Sequence, residues 1–200
     1  MVNSGISRSK SGGAELSLPR EGRLAKLVPV SDVHLPFLYS LATSERTGFR
    51  WGIVGTLLRP DQFAESLWAG IWCQFVVVRR SDDRPLGLVV GYDPNFNDGY
   101  AYGAEVLIDE AQVTGVGVEA LGLFLNILFS SFNFRKIYFE VLEYNLSRMQ
   151  GAVGDWLHEE GRLKDHSFFA GEWWDKITLA MYREEFVSRT DRFFGKRDVE

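Results

Sequence analysis

Two hundred residues suffice for one well-cored domain with an arm but not for two, and 46% hydrophobic, 14% aromatic and 24% charged residues exclude a wholly disordered chain. The net charge of -5 comes with no strongly basic block, which sets nucleic acid aside as a partner and suits a cationic or amine ligand. A lone cysteine, Cys73, forms no internal disulfide and three scattered histidines show no zinc spacing, so no metal is expected and a reduced, cytoplasmic setting follows most simply.

The Ser/Gly-rich start, MVNSGISRSKSGGAEL, lacks the apolar run and cleavage-like site of a secretory signal and reads as a flexible arm over residues 1–20. A single domain is expected over 21–188, with a tail over 189–200. Arg23 to Val28 alternates weakly and meets Pro29, which suits a short edge strand. Ser31-Asp32 offers a cap for a helix over Val33 to Ala42, with Pro36 in its first turn. Pro60-Asp61 opens a second helix whose stripe is Phe63, Ala64, Leu67 and Trp68.

Gln74 to Arg79 and Pro85 to Tyr92 are β-branched runs around the turn Ser81 to Arg84, and so predict a hairpin. A turn cluster at Asp93-Pro94-Asn95 and Asn97-Asp98-Gly99 precedes a third antiparallel strand, Tyr100 to Ile108. Val116 to Phe132 is a helix apolar on most of its circumference, expected to be sandwiched. Glu119, Asn126 and Ser130-Ser131 interrupt it, so it falls short of the roughly 18 apolar residues of a membrane span, and no membrane partner is expected. A strand over Lys136 to Leu142, a helix over Leu146 to Leu157 and two closing strands, the last from Trp174 to Tyr182, complete the chain. The strand–helix–strand unit predicts one parallel pair in an otherwise antiparallel sheet, an α+β architecture.

Between the third strand and the apolar helix stands Gln112-x-x-Gly115-x-Gly117. A strand-to-helix loop with two glycines converges free amide N–H groups on the helix N-terminus and forms an anion cradle; the same glycines could serve strand-to-helix packing alone. No Gly-Lys-Ser/Thr follows, and the third glycine of a dinucleotide fingerprint is missing.

In this context the motif resembles the acyl-CoA pyrophosphate signature of the GNAT N-acetyltransferase superfamily. PheAsnPhe-Arg135-Lys136-Ile137-Tyr138 followed by Glu143-Tyr144-Asn145 is similar to that family's fifth strand and its asparagine. Glu159-Glu160-Gly161-Arg162-Leu163 resembles the Glu-Gly turn of the Rim-type, ribosomal-protein N-acetyltransferase branch, and Gly171-Glu172-Trp173-Trp174-Asp175 its late G-x-Y-x-D motif. The chain departs from the pattern in places: Arg148 replaces a serine, Val113 a glycine, Trp156-Leu157 the Gly-Phe before the Glu-Gly turn, and Ala152 the frequent catalytic tyrosine.

The resemblance implies a GNAT fold with splayed parallel strands, acetyl-CoA or another acyl-CoA as co-substrate, and acyl transfer by direct attack of a primary amine. Amides of Val113, Thr114, Gly115, Val116 and Gly117, beside Gln112, would take the pyrophosphate. Asn145, with Arg148 nearby, would hold the pantetheine arm, and an N–H of Val106, Leu107 or Ile108 would polarise the thioester carbonyl. Glu105, acting directly or through water, is the first candidate general base and Glu143 the second; each could instead be a charge on a solvated face. Deprotonating a lysine at pH 7 costs roughly 4.5 kcal/mol against about 1 for an α-amine, so an acidic amine asks less of the base. Trp51 and Trp173, with Phe49 and Trp174 beside them, are the candidate acceptor walls or else ordinary packing. The acceptor is then a small-molecule amine or a protein N-terminus, the rival reading is a catalytically silent acyl-CoA-binding module or partner subunit, and the C-terminal segment offers a homodimer element or a frayed end.

Overall fold

The computed structural model describes residues 18–50, 58–112, 114–146, 149 and 152–194. Its strands are β1 (Ala25–Pro29), β2 (Ile71–Arg79), β3 (Pro85–Asn95), β4 (Tyr100–Leu107), β5 (Lys136–Leu142), β6 (His158–Phe169) and β7 (Glu172–Tyr182). The helices are α1 (Leu35–Thr43), α2 (Pro60–Ser66), α3 (Asp109–Gln112), α4 (Val116–Ser131), α5 (Glu143–Leu146), α6 (Arg183–Ser188) and α7 (Thr190–Phe194). One mixed sheet runs β1-β2-β3-β4-β5-β7-β6. Every neighbouring pair is antiparallel except β4 and β5, the parallel pair expected on either side of the long helix.

Alternation sorts side chains to two faces. Val76, Val78 and Leu88 meet Leu38 and Ala42 of α1 and Phe63 of α2 on one face. Val77, Val89, Ala101 and Ile137 meet α4 on the other. The apolar α4 is covered on its outer side too: a Cβ on Gly122 would stand 2.5 Å from Cβ of Phe193, so glycine is what lets α7 lie against it. Residues 190–194, which the sequence suggested lie in a tail, are thus a packed helix whose Phe193 is buried.

Two polar clamps fix α4. Near its start the Glu119 carboxylate accepts backbone N–H bonds from Arg23 (2.8 Å), Leu24 (2.6 Å) and Ala25 (2.8 Å), and so draws the edge strand β1 onto the helix. At its other end the Arg183 guanidinium donates to the carbonyls of Phe129, Phe132 and Phe134, satisfying acceptors that the end of a helix leaves open.

Two expectations fail locally. Leu146 to Leu157 is not one helix: α5 covers only Glu143–Leu146, and residues 152–157 close a turn in which the N–H groups of Trp156 and Leu157 donate to Ala152 O, both at 3.0 Å. Gly154, at φ 81°, takes a left-handed conformation there. The second is the turn at Asp93-Pro94-Asn95. β3 runs through to Asn95, because an irregularity between Tyr92 and Asn95, with Asp93 at φ 44°, absorbs the proline without ending the strand.

Register positions the site. β4 and β5 pair only at Tyr100↔Lys136, Ala101↔Ile137 and Tyr102↔Tyr138, and then part. Meanwhile β3 stays paired to β4 as far as Leu107, and β7 to β5 as far as Leu142, so both walls of the gap are held from outside. Glu119→Ala strands three N–H donors, and should lower the unfolding free energy by about 3 kcal/mol in urea titration; a loss under about 1 kcal/mol would show that the clamp is not what holds β1.

Candidate active site

The gap is a cavity of about 860 Å³. Gly103 to Leu107 of β4 form one wall and Phe139 to Leu142 of β5 the other; Gly117, Val118 and Leu121 of α4 close one side, and Tyr144, Asn145, Met149, Ala152 and Trp156 another. Consecutive residues of each strand line it, although their side chains point to opposite faces. The cavity therefore passes between the strands, through the plane of the sheet.

Backbone groups face this passage. Ile108 N–H donates to Leu86 O at 2.8 Å. With a period of two, Val106 and Ala104 also turn toward β3, while the N–H and C=O of Glu105 point away from it, toward the gap, where no β5 residue is paired with them. Of the strand residues named as donors to a thioester, Ile108 is thus already committed and Val106 faces β3, while Leu107 turns its N–H away from β3 by the same alternation, as does Glu105, proposed only for its side chain.

The cradle lies at one end. Gly115 adopts φ 77° at the N-cap of α4, a left-handed conformation that favours glycine, and Glu119 N–H is bonded to its carbonyl at 3.1 Å. The N–H groups of Val116, Gly117 and Val118 precede that first helical bond, have no intrahelical acceptor and carry the positive end of the helix dipole. Thr114 Oγ1 is turned to Ala111 O at 2.9 Å, so its hydroxyl braces the loop. A Cβ on Gly117 would lie 2.7 Å from Leu107 Cδ1 and 3.3 Å from Glu105 Oε2. Glycine lets the helix start sit directly against the strand. Close packing is thus the role of Gly117, whereas Gly115, where an added Cβ would meet nothing nearer than 3.8 Å, is needed for its left-handed turn.

Glu105 shares that corner. Its Oε1 is sealed from solvent and has no hydrogen-bond partner among the described residues, and burial pushes the carboxyl up to about 8. The solvated-face reading of this residue does not hold. Glu143 is placed otherwise: it is exposed, outside the cavity lining, and its carboxylate accepts from Arg162 at 3.2 Å. Asn145 lines the cavity as expected. Trp51, Val113 and Arg148 lie outside the described residues.

Trp173 points outward, 60% exposed, against Phe168 on the β6–β7 hairpin. Its neighbour Trp174 points inward by strand alternation, edge-on to Tyr144 at 5.3 Å, and Phe49 stacks on Phe169 at 5.0 Å. Phe49 and Tyr144 reach the cavity mouth, where Arg46 pairs with Asp109 (2.5 Å) and is the one cation in the described lining. Sequence reasoning singled out neither Tyr144 nor Arg46 as a site residue; the only signal was Tyr144's place beside Asn145. Cys73, half-buried, has its thiol pushed up to about 11 by desolvation, which keeps it from serving as a thiolate nucleophile near neutral pH. His166 is exposed on β6.

The Glu-Gly segment is a bulge in β6, with a register shift between Glu159 and Gly161. The late motif ends on Asp175, a buried carboxylate held at about 2 by its hydrogen bond with Lys164, then by the backbone N–H of Asp165 and by Arg162. Both tie the β6–β7 hairpin together and neither reaches the cavity.

No family model matches the sequence, and no curated protein does. Solved structures do match. A spermidine N-acetyltransferase from Vibrio cholerae, in complex with CoA and spermine, is 20% identical with a TM-score of 0.70 over 82% of this chain and 98% of that one. A GCN5-related N-acetyltransferase from Brucella melitensis is 17% identical, TM-score 0.69, over 86% and 82%. A GNAT-family acetyltransferase from Bacillus anthracis is 15% identical, TM-score 0.64, over 82% and 98%. The chain has the GNAT fold.

Glu105, half-buried with its Oε1 sealed, bears on stability. Its carboxyl is raised in the folded state from an ordinary 4.5 to about 8, so ionisation favours the unfolded chain as pH climbs through that window. Glu105→Gln should therefore raise Tm, by nothing below about pH 4.5 and by several degrees above pH 8, as read by calorimetry across pH. A pH-independent gain, or a loss, would contradict the sealed carboxyl.

Proposed function

We propose that this protein is an acyl-CoA-dependent N-acyltransferase, with acetyl-CoA the simplest donor, acting on a primary amine of a small molecule or a protein N-terminus. One observation carries the reading: a through-sheet gap, faced by the Glu105 backbone, runs up to a helix N-terminus that presents open amides. A pantetheine arm is built of amides that can satisfy such groups, and its diphosphate suits the helix start. The GNAT fold, and the CoA and spermine named in the complex of the Vibrio cholerae protein, support the same reading.

The residues present fit that ligand. Val116 to Val118 would hold the diphosphate, Arg46 at the mouth adds a cation, and Asn145 would meet the arm. Bound acetyl-CoA supplies an activated acyl group, open to direct attack by an amine. What the chain itself must do is orient the amine and move its proton. The Glu105 carboxylate, which lines the cavity, is the site for that proton. Its side chain leans toward α4, whereas Ala104 and Val106 face the opposite side of the sheet, so Glu105 acts on an amine there through water in the passage. With a carboxyl near 8 it is matched to a proton transfer near neutrality. Ala152 lines the cavity where the resemblance leads one to look for a tyrosine, so the leaving thiolate takes its proton from solvent or from the acceptor.

The Rim-type resemblance supports a protein N-terminus as acceptor, and the spermidine enzyme's structure supports a small amine. A silent CoA-binding module is the reading to fall back on if binding occurs without transfer. Thiol release from acetyl-CoA with a panel of amines tests the proposal: release with at least one amine supports it, and CoA binding with no release across the panel contradicts it. In the active enzyme kcat/KM should rise as pH rises through about 8, and Glu105→Gln should lose about 100-fold and flatten that limb. A profile unchanged in the variant would remove Glu105 from the chemistry.

A further inference from the structure

A second, smaller pocket of about 300 Å³ lies on the α2 face of the sheet, walled by Leu67, Ile71, Leu88 and Val90, and it shares Ala104 and Val106 with the main cavity. Gln74 faces it from β2, 5% exposed. Its amide nitrogen donates to Leu67 O at 3.0 Å, which fixes the orientation of the amide and leaves Oε1 without a donor in the pocket wall. That oxygen is buried and has no partner among the described residues. The register sets Gln74 opposite Val90 and Val90 opposite Ala104, in one rung of the sheet. At one strand spacing per step, Gln74 lies about 10 Å from the edge of the gap.

We propose that this pocket binds the body of the acceptor, and that Gln74 selects a monoamine with an apolar or aromatic body ending in an uncharged hydrogen-bond donor, a hydroxyl or an amide N–H. The inference rests on the acyltransferase reading above. An unpaired carbonyl oxygen in an apolar wall wants a donor, and leaving it unmet costs about 1–3 kcal/mol. A second ammonium is a poor donor for it: among the described residues no carboxylate lines the pocket, so a buried charge would stay uncompensated. The Tyr92 hydroxyl beside it is pushed up to about 12 by burial, with Glu140 and Asp93 adding to this, and remains neutral. Ser66, also at the rim, spends its hydroxyl proton on Phe63 O. The pocket therefore disfavours polyamines, in contrast to the spermine in the Vibrio cholerae complex.

The test compares tyramine with phenethylamine, which differ by one hydroxyl, and adds spermidine, using the full chain and acetyl-CoA in a thiol-release assay. The wild type should favour tyramine over phenethylamine by about 10-fold or more in kcat/KM, and Gln74→Leu and the closer-shaped Gln74→Met should bring that ratio toward one. Equal use of the two amines, preference for spermidine, a ratio that survives both substitutions, or a Gln74-independent preference for hexanoyl-CoA over acetyl-CoA would overturn it. If the variants do not fold, the wild-type panel decides alone. If no amine is turned over, the acyltransferase reading fails by itself. Calorimetric binding of the two amines in the presence of CoA then decides: tyramine bound about 10-fold tighter supports the pocket, and equal or undetectable binding ends it.

Discussion

Two parallel strands that pair for three residues and then diverge leave backbone groups inside a protein with no strand to bond. An amide left unmet in a buried site costs on the order of 1–3 kcal/mol, so a fold that keeps such groups must either hydrate them or offer them to a ligand. Here the divergence cannot relax by closing. β3 holds β4 and β7 holds β5 along their whole lengths, while the start of α4 is wedged against Leu107 through Gly117. The rest of the molecule serves this frame: Glu119 ties β1 to α4, Arg183 ties the other end of α4 to the approach to β5, and α7 covers its back.

The same frame explains why a carboxylate is kept where it is electrostatically unwelcome. Glu105 lies between strand and helix with one oxygen sealed off, and its neutral form is favoured far above the usual carboxylate range. In a purely structural protein an apolar side chain would serve better there. On the proposed acyltransferase reading, a proton site held near neutrality and facing a passage through the sheet is what the amine would need, and stability is commonly given up at functional positions.

Much of the fold was legible because its carriers are local. β-Branched runs marked β2 and β3, Pro29 marked the edge, and α4, apolar on most of its circumference, announced a buried helix between parallel strands. β6 was less distinct, since its Glu, Lys, Asp and His residues stand at an exposed sheet edge and carry no apolar alternation. The segment after Asn145 read as a helix because its apolar spacing fits one, yet Gly154 turns the chain back so that Trp156 and Leu157 reach the core. The cradle could be read from Gly115 and Gly117. Whether Glu105 was a solvated charge or a sealed one could not, because that depends on how closely α4 approaches β4. Trp173 and Trp174 show the finest limit: adjacent identical side chains take opposite faces, and only the register with β6 says which one turns inward.

Amide hydrogen exchange followed by NMR, with and without CoA, addresses the gap most directly. Protection should rise together at the Glu105 N–H and at the amides of Val116, Gly117 and Val118, while amides already bonded within β3 and β7 stay as they were. Binding of CoA that leaves Glu105 and the start of α4 exchanging as in the free protein, or no detectable binding at millimolar CoA, would contradict the account.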